Sequence, residues 1–196
     1  MEDEWKTRET LIERARNPND ADAWNEFAGY YASFIRMLLT KLNVSPDDLE
    51  DLSQDILLKL WKSLPDVKNW RGDSKFRTWL GAVIRNTVYT HGSQQASRKR
   101  RDADAAAPPT VPSDLDAIID REWQEHLVEL VMERLNSSFS GKAMQVFTMT
   151  MDGKSVDEIA TTLELTKDSV YVLRNRVRSR FLMEAKRLRM HLEFRE

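Results

Sequence analysis

The sequence predicts an all-α protein of two small helical domains joined by a flexible linker, the second containing a helix-turn-helix. Three observations predict it. Only six glycines and six prolines interrupt 196 residues, and apolar positions recur at spacings of three and four over most of the length. The composition breaks once, at RDADAAAPPTVPS (101–113), where Ala, Asp and Pro replace large apolar residues. Finally, Ser155 to Arg189 reads as two helices across a tight turn, the second strongly basic. The division expected is an acidic N-terminal tip at 1–19, a helical domain at 20–101, a linker at 102–120 and a second domain at 121–191.

Asp20 to Leu42 places Trp24, Phe27, Ala28, Tyr31, Ile35, Leu38 and Leu39 at helical spacing, which predicts a long amphipathic helix. Ser45-Pro46 has the form of a cap followed by proline at the first helical position, and a helix over Asp47 to Ser63 follows. Leu64-Pro65 ends it. Asp66 to Ser74 (DVKNWRGDS) carries too many breakers and polar residues for a helix and is expected as a loop. From Lys75 to Arg100 the periodicity resumes, with Phe76, Trp79, Leu80, Val83, Ile84 and Val88 on one side. After the linker, Asp114 or Asp116 caps a helix running to Asn136, and Ser140 to Met151 supplies another.

In the last segment Ser155 and Glu158 have capping-box spacing, so a short helix begins there, with Ile159, Ala160 and Leu163 as its apolar positions. Thr166 and Ser169 start the next helix after a turn of a few residues. From Lys167 to Arg189 there are eight Lys or Arg against two acids, a net of +6. Val170, Leu173, Val177, Phe181 and Leu188 keep an apolar stripe, leaving the basic side chains outside. Such a helix inserts its N-terminal end into the major groove while its cations neutralise phosphates. A solvated basic helix covering a bundle carries the same charge; the adjacent short helix and tight turn favour DNA.

The overall charge of -2 hides segregation. Residues 71–101 carry a net of +7, against -6 over 102–125 and -4 over 43–66. That alternation suggests separate surfaces for separate partners, although solvated charge runs are the commoner cause of any one. The absence of cysteine excludes disulfides and thiolate chemistry. His91, His126 and His191 are isolated, and no glycine cluster forms a phosphate loop, so neither an enzyme nor a metal or other cofactor is expected. No apolar run approaches the roughly 20 residues that span a bilayer, so no membrane insertion and a cytoplasmic location are expected.

The segment Asp51-Leu-Ser-Gln-Asp-Ile-Leu-Leu-Lys-Leu-Trp61, followed by Phe76-Arg-Thr-Trp-Leu80 and Ile84-Arg-Asn86, resembles the second region of the sigma-70 family, in its short extracytoplasmic-function form. EIATTLELTKDSVYVLRNRVR is similar to the family's fourth region. The resemblance implies a factor that binds core RNA polymerase and directs promoter-specific initiation; promoter DNA is the second partner and an anti-sigma factor a possible third. It places polymerase docking on the acidic helix, at Asp51, Gln54, Asp55 and Leu58, which share one face by spacing. Leu57, Leu60 and Trp61 are alternatives for the core.

For the -10 element the resemblance points to Asn69, Trp70, Arg71, Lys75, Arg77, Trp79, Arg85 and Asn86. Melting costs about 1.4 kcal/mol per step, and stacking on an aromatic ring returns roughly 1–3 kcal/mol per base. Trp70, in a polar loop, is the better stacking candidate; Phe76 and Trp79 also fit a buried stripe, and core packing is expected for Phe76. For the -35 element, Lys167, Asp168, Ser169 and Tyr171 are placed at bases, and Arg174, Asn175, Arg176 and Arg178 at phosphates. Two positions depart from the family pattern: Tyr171 stands where a basic residue is usual, and Glu164 where a small residue or glycine forms the turn. The rival reading is a stand-alone helix-turn-helix regulator, which has no use for an acidic docking helix.

Overall fold

A computed structural model describes residues 10–67, 73–101, 114–139 and 141–192; the side chains at 73–75 and 95–101 lie outside the description. The helices are α1 (Leu11–Ala15), α2 (Ala21–Lys41), α3 (Pro46–Ser63), α4 (Asp73–Arg101), α5 (Leu115–Ser138), α6 (Lys142–Met151), α7 (Val156–Leu163) and α8 (Lys167–Leu192), with a 3-10 turn at Leu64–Asp66. Among the described residues there is no strand. The chain forms two compact units, Met1–Gln124 with His191–Glu196, and Glu125–Met190.

The first unit is built around α2. Asp20 accepts from Ala23 N and starts the helix; its buried residues Phe27, Tyr31, Ile35, Leu38 and Leu39 follow the predicted stripe, and Phe34 joins them. Phe27 stacks on Tyr31 at 4.3 Å, and both rings meet Phe76 of α4 edge-on. Leu52, Ile56 and Leu60 of α3 and Leu80, Ile84 and Val88 of α4 complete the apolar interior. Proline at the first position of α3 lacks only an N–H that would have no helical partner there.

Two features differ from expectation. The stretch read as an acidic tip contains α1, closed by a Thr10–Glu13 capping box, with Leu11, Ile12 and Ala15 buried. Three apolar residues in one turn are too few to register as a periodic pattern; they are recruited by packing. The linker read over 102–120 is also too long. Residues 115–120 are helical, with Leu115 and Ile119 buried, and the boundary between units falls within α5. Residues 102–113 lie outside the described residues. Leu115, Ile119 and Trp123 are spaced by four, and Trp123 stacks on Tyr31 at 5.1 Å and meets Phe34 edge-on at 5.0 Å. Gly81 permits this approach: a Cβ there would meet Ile119 Cδ1 at 2.8 Å.

The second unit holds the α7–α8 pair, joined across residues 164–166. Val146, Ile159 and Val170, from α6, α7 and α8, form its core, with Met149, Val156, Ala160, Leu163, Leu165 and Leu173 packed around them. Glu184 of α8 is buried and gripped by Arg180 at 2.9 Å and by Arg134 of α5 at 3.5 Å. A buried carboxylate is stable only with such partners.

Candidate polymerase-binding and nucleic-acid surfaces

On α3 the apolar stripe Leu52, Ile56, Leu60 turns inward, which leaves Asp51, Gln54, Asp55 and Leu58 exposed on the opposite side. All four residues proposed for docking therefore share one accessible face. Trp61 joins them: it is 46% exposed, as is Leu58, whereas Leu60 is fully buried and Leu57 half-buried. The sequence left Trp61 among core alternatives because its spacing from Leu57 fits either side. The structure separates them, giving the acidic face two apolar anchors at its C-terminal end.

The charges around this face are partly engaged. Asp55 accepts from Lys59 Nζ at 2.9 Å, and the same ammonium donates to Thr87 Oγ1 of α4 at 3.0 Å. Glu50 accepts from Gln54 at 3.0 Å and from Arg36 at 3.1 Å, and these bonds hold its carboxyl below the usual range. Asp51 is exposed at the N-terminal end of the face.

Of the residues expected at the -10 element, Asn69, Trp70, Arg71 and the side chain of Lys75 lie outside the described residues. Helix α4 begins at Asp73, two residues before the expected start. Phe76 is buried at 2% exposure, as expected for core. Trp79 is half-buried, its ring 5.9 Å from that of Phe76. Asn86 is exposed, and Tyr89, one turn on, is 62% exposed, an aromatic on the outer side of α4 that periodicity did not single out. The two arginines are engaged by α5. Arg77 Nε pairs with Asp120, and Arg85 lies 3.5 Å from Asp116. Only 17% of the Arg77 side chain is accessible.

In the second unit the grammar predicted for the helix-turn-helix is present. The Ser155 hydroxyl accepts from Glu158 N, and the Glu158 carboxylate in turn accepts from Ser155 N at 2.8 Å and from the Ser155 hydroxyl at 2.8 Å; the two bonds to the carboxylate lower its pKa. Thr166 Oγ1 accepts from Ser169 N at 3.1 Å and so caps α8. Glu164 takes the left-handed conformation, φ 51°, and Leu165 N donates to Ala160 O at 2.9 Å. The turn that glycine usually makes is thus formed by a glutamate. Asn43 (φ 56°) and Gly153 (φ 79°) end α2 and α6 with the same six-to-one hydrogen bond. Lys142 adds support by donating to Leu163 O at 2.7 Å.

The start of α8 faces solvent. Lys167 and Asp168 are exposed, Ser169 is half-buried, and Tyr171 is 44% exposed. Lys167 pairs with Asp157 of α7, whose hydrogen bond and charge raise its pKa. Arg174 lies over the Tyr171 ring at 5.0 Å, and Arg176 over Phe139 at 5.5 Å. Asn175, Arg176 and Arg178 are exposed, and Arg178 has no acidic partner among the described residues. Val170 and Val177 point inward, so the basic face is directed outward by the stripe the sequence showed.

Among the described residues no group of three or more His, Cys, Asp and Glu is placed to hold a metal ion. No helix among them is long and apolar enough to cross a membrane. Residues 27–98 match the family Sigma-70 region 2, a range that takes in most of α2, all of α3 and most of α4. The chain is 26% identical over 187 residues to the ECF RNA polymerase sigma-E factor of Haemophilus influenzae, covering 92% of this chain and 95% of the relative. It is also 26% identical over 175 residues to the protein of that name from Escherichia coli K12, covering 81% and 83%. Residues 27–98 are thus similar to region 2 of the sigma-70 family, and most of the chain is similar to proteins named ECF RNA polymerase sigma-E factor.

Proposed function

We propose that the protein binds core RNA polymerase through the exposed face of α3 and directs promoter-specific initiation. The first unit contacts the -10 element and the α7–α8 pair the -35 element. Chemistry is left to the polymerase. The observation that carries this reading is the presence, in one chain, of an outward acidic and aromatic face on α3 and a capped helix-turn-helix with an outward basic face. A stand-alone regulator accounts for the second and leaves the first without a use. Within this scheme Asp51, Gln54, Asp55 and Leu58, with Trp61 added, meet the polymerase by charge steering around an apolar anchor. Trp70 and Trp79 stack on melted bases, Asn69, Arg71, Lys75, Arg77 and Arg85 hold the strand, and Asn86 pairs with a base edge. At the other element, Lys167, Asp168, Ser169 and Tyr171 read bases while Arg174, Asn175, Arg176 and Arg178 hold phosphates.

Run-off transcription with purified core enzyme tests the whole scheme. Templates are chosen by mapping transcription starts after overexpression of the protein. Transcripts should appear from those promoters only when the protein is added; core enzyme giving the same products alone would reject the reading.

A further inference from the structure

The two arginines of α4 assigned to the -10 element are paired with acids of α5. Asp116 and Asp120 are one helical turn apart on α5, and Arg85 and Arg77 are two turns apart on α4, so the pairs Arg85–Asp116 and Arg77–Asp120 run antiparallel along the two helices. Gly81 lies midway between the arginines, where Ile119 of α5 packs closest. Leu115, Ile119 and Trp123 are buried, so this stretch of α5 is anchored by apolar packing and its acids are brought to the arginines as a consequence. The carboxylates are more than half exposed, at 56% and 57%, while the Arg77 side chain is 17% accessible.

We propose that the first turns of α5 form a built-in mask over the -10 reading face, in which Asp116 and Asp120 occupy Arg85 and Arg77 in place of DNA phosphates. The proposal rests on the reading of Arg77 and Arg85 as DNA contacts. DNA and α5 compete for the same two guanidinium groups, so the free protein binds the element weakly until the pairs are exchanged. Exposed ion pairs are individually weak, which suits a contact that must be given up. Cations already neutralised by protein acids release fewer counterions when DNA binds, so the mask also flattens the salt dependence of binding.

The test uses the full chain without polymerase and a fluorescent single strand carrying the non-template sequence of a promoter at which the holoenzyme initiates. Asp116→Asn with Asp120→Asn should tighten binding roughly threefold to tenfold and steepen the slope of log affinity against log salt by about 1 to 2. Asp22→Asn with Asp47→Asn changes net charge equally elsewhere on the unit and should do neither; an equal gain from this pair overturns the mask. Arg77→Ala with Arg85→Ala, assayed by run-off in the holoenzyme, separates the two claims. Impaired run-off together with unchanged affinity and slope in the double Asn variant overturns the mask and leaves the DNA reading standing. Run-off unaffected by loss of the two arginines overturns both.

Discussion

Helices α4 and α8 are both basic and both assigned to DNA, yet their cations are held in different ways. On α8 several partners are local: Arg180 bonds Glu184 one turn away, Arg174 lies over Tyr171, and Arg178 has no acidic partner among the described residues. On α4, Arg77 is paired with an acid 43 residues further along the chain, and Arg85 with another on the same distant helix. A helix whose charges are satisfied within its own turns presents in the fold the surface its sequence shows. A helix whose charges are met by a remote element does not. Charge on a helix is therefore a property of sequence, and its availability is a property of packing.

The comparison extends to stability. Phe76 sits where the rings of Phe27 and Tyr31 converge, so Phe76→Ala should cost the first unit about 3–5 kcal/mol. Chemical denaturation followed separately in each unit checks this; a loss spread equally over both would mean that the second unit depends on this core. Charge reversal on α3 comes next in size. Asp51→Arg with Asp55→Arg should weaken co-purification with core polymerase by about a hundredfold or more with helicity unchanged by circular dichroism. Unchanged co-purification would remove those residues from the docking face.

On α8, Arg176→Ala should weaken duplex DNA binding for all sequences alike and lower the salt slope by about 1. A substitution at Tyr171 should instead change which -35 sequences are preferred. A Tyr171 variant with an unchanged preference profile would reject a base-reading role. The smallest effect belongs to the turn. Glu164 is held at φ 51°, a conformation costing a non-glycine residue about 1–2 kcal/mol. Glu164→Gly should therefore raise the stability of the second unit by roughly 1 kcal/mol, part of the relief being offset by glycine's greater freedom when unfolded. A fall in melting temperature would show that the glutamate side chain contributes more than its backbone strain costs.

Most of the fold was legible because it is made of amphipathic helices with local start and stop signals. The caps at Ser155 and Thr166 and the stripes of α2 and α8 depend on residues three or four apart, and these are found as read, whereas the Asp20 cap is seen only in the structure. Trp61 was not legible: helical spacing places it near the border of the apolar stripe, and only the position of α3 in the unit decides that it faces out. Helix α1 was missed because five residues give no period to detect. Glu164 pointed to a strained turn, and the fold accepts the strain because Leu165, Lys142 and the surrounding apolar cluster fix the corner.

By itself the sequence determined the all-helical class, the two-part plan, the outward basic face of α8 and the acidic face of α3, since each follows from periodicity and charge within a single segment. Only the tertiary structure decided that α5 begins at Leu115 and crosses from one unit to the other, that Glu184 is buried between two arginines, and that Asp116 and Asp120 lie on Arg85 and Arg77. The physical reason is common to all three. An apolar residue such as Ile119 or Trp123 buries its surface against whatever the fold brings near, and the charged neighbours it carries along meet partners that no local pattern names.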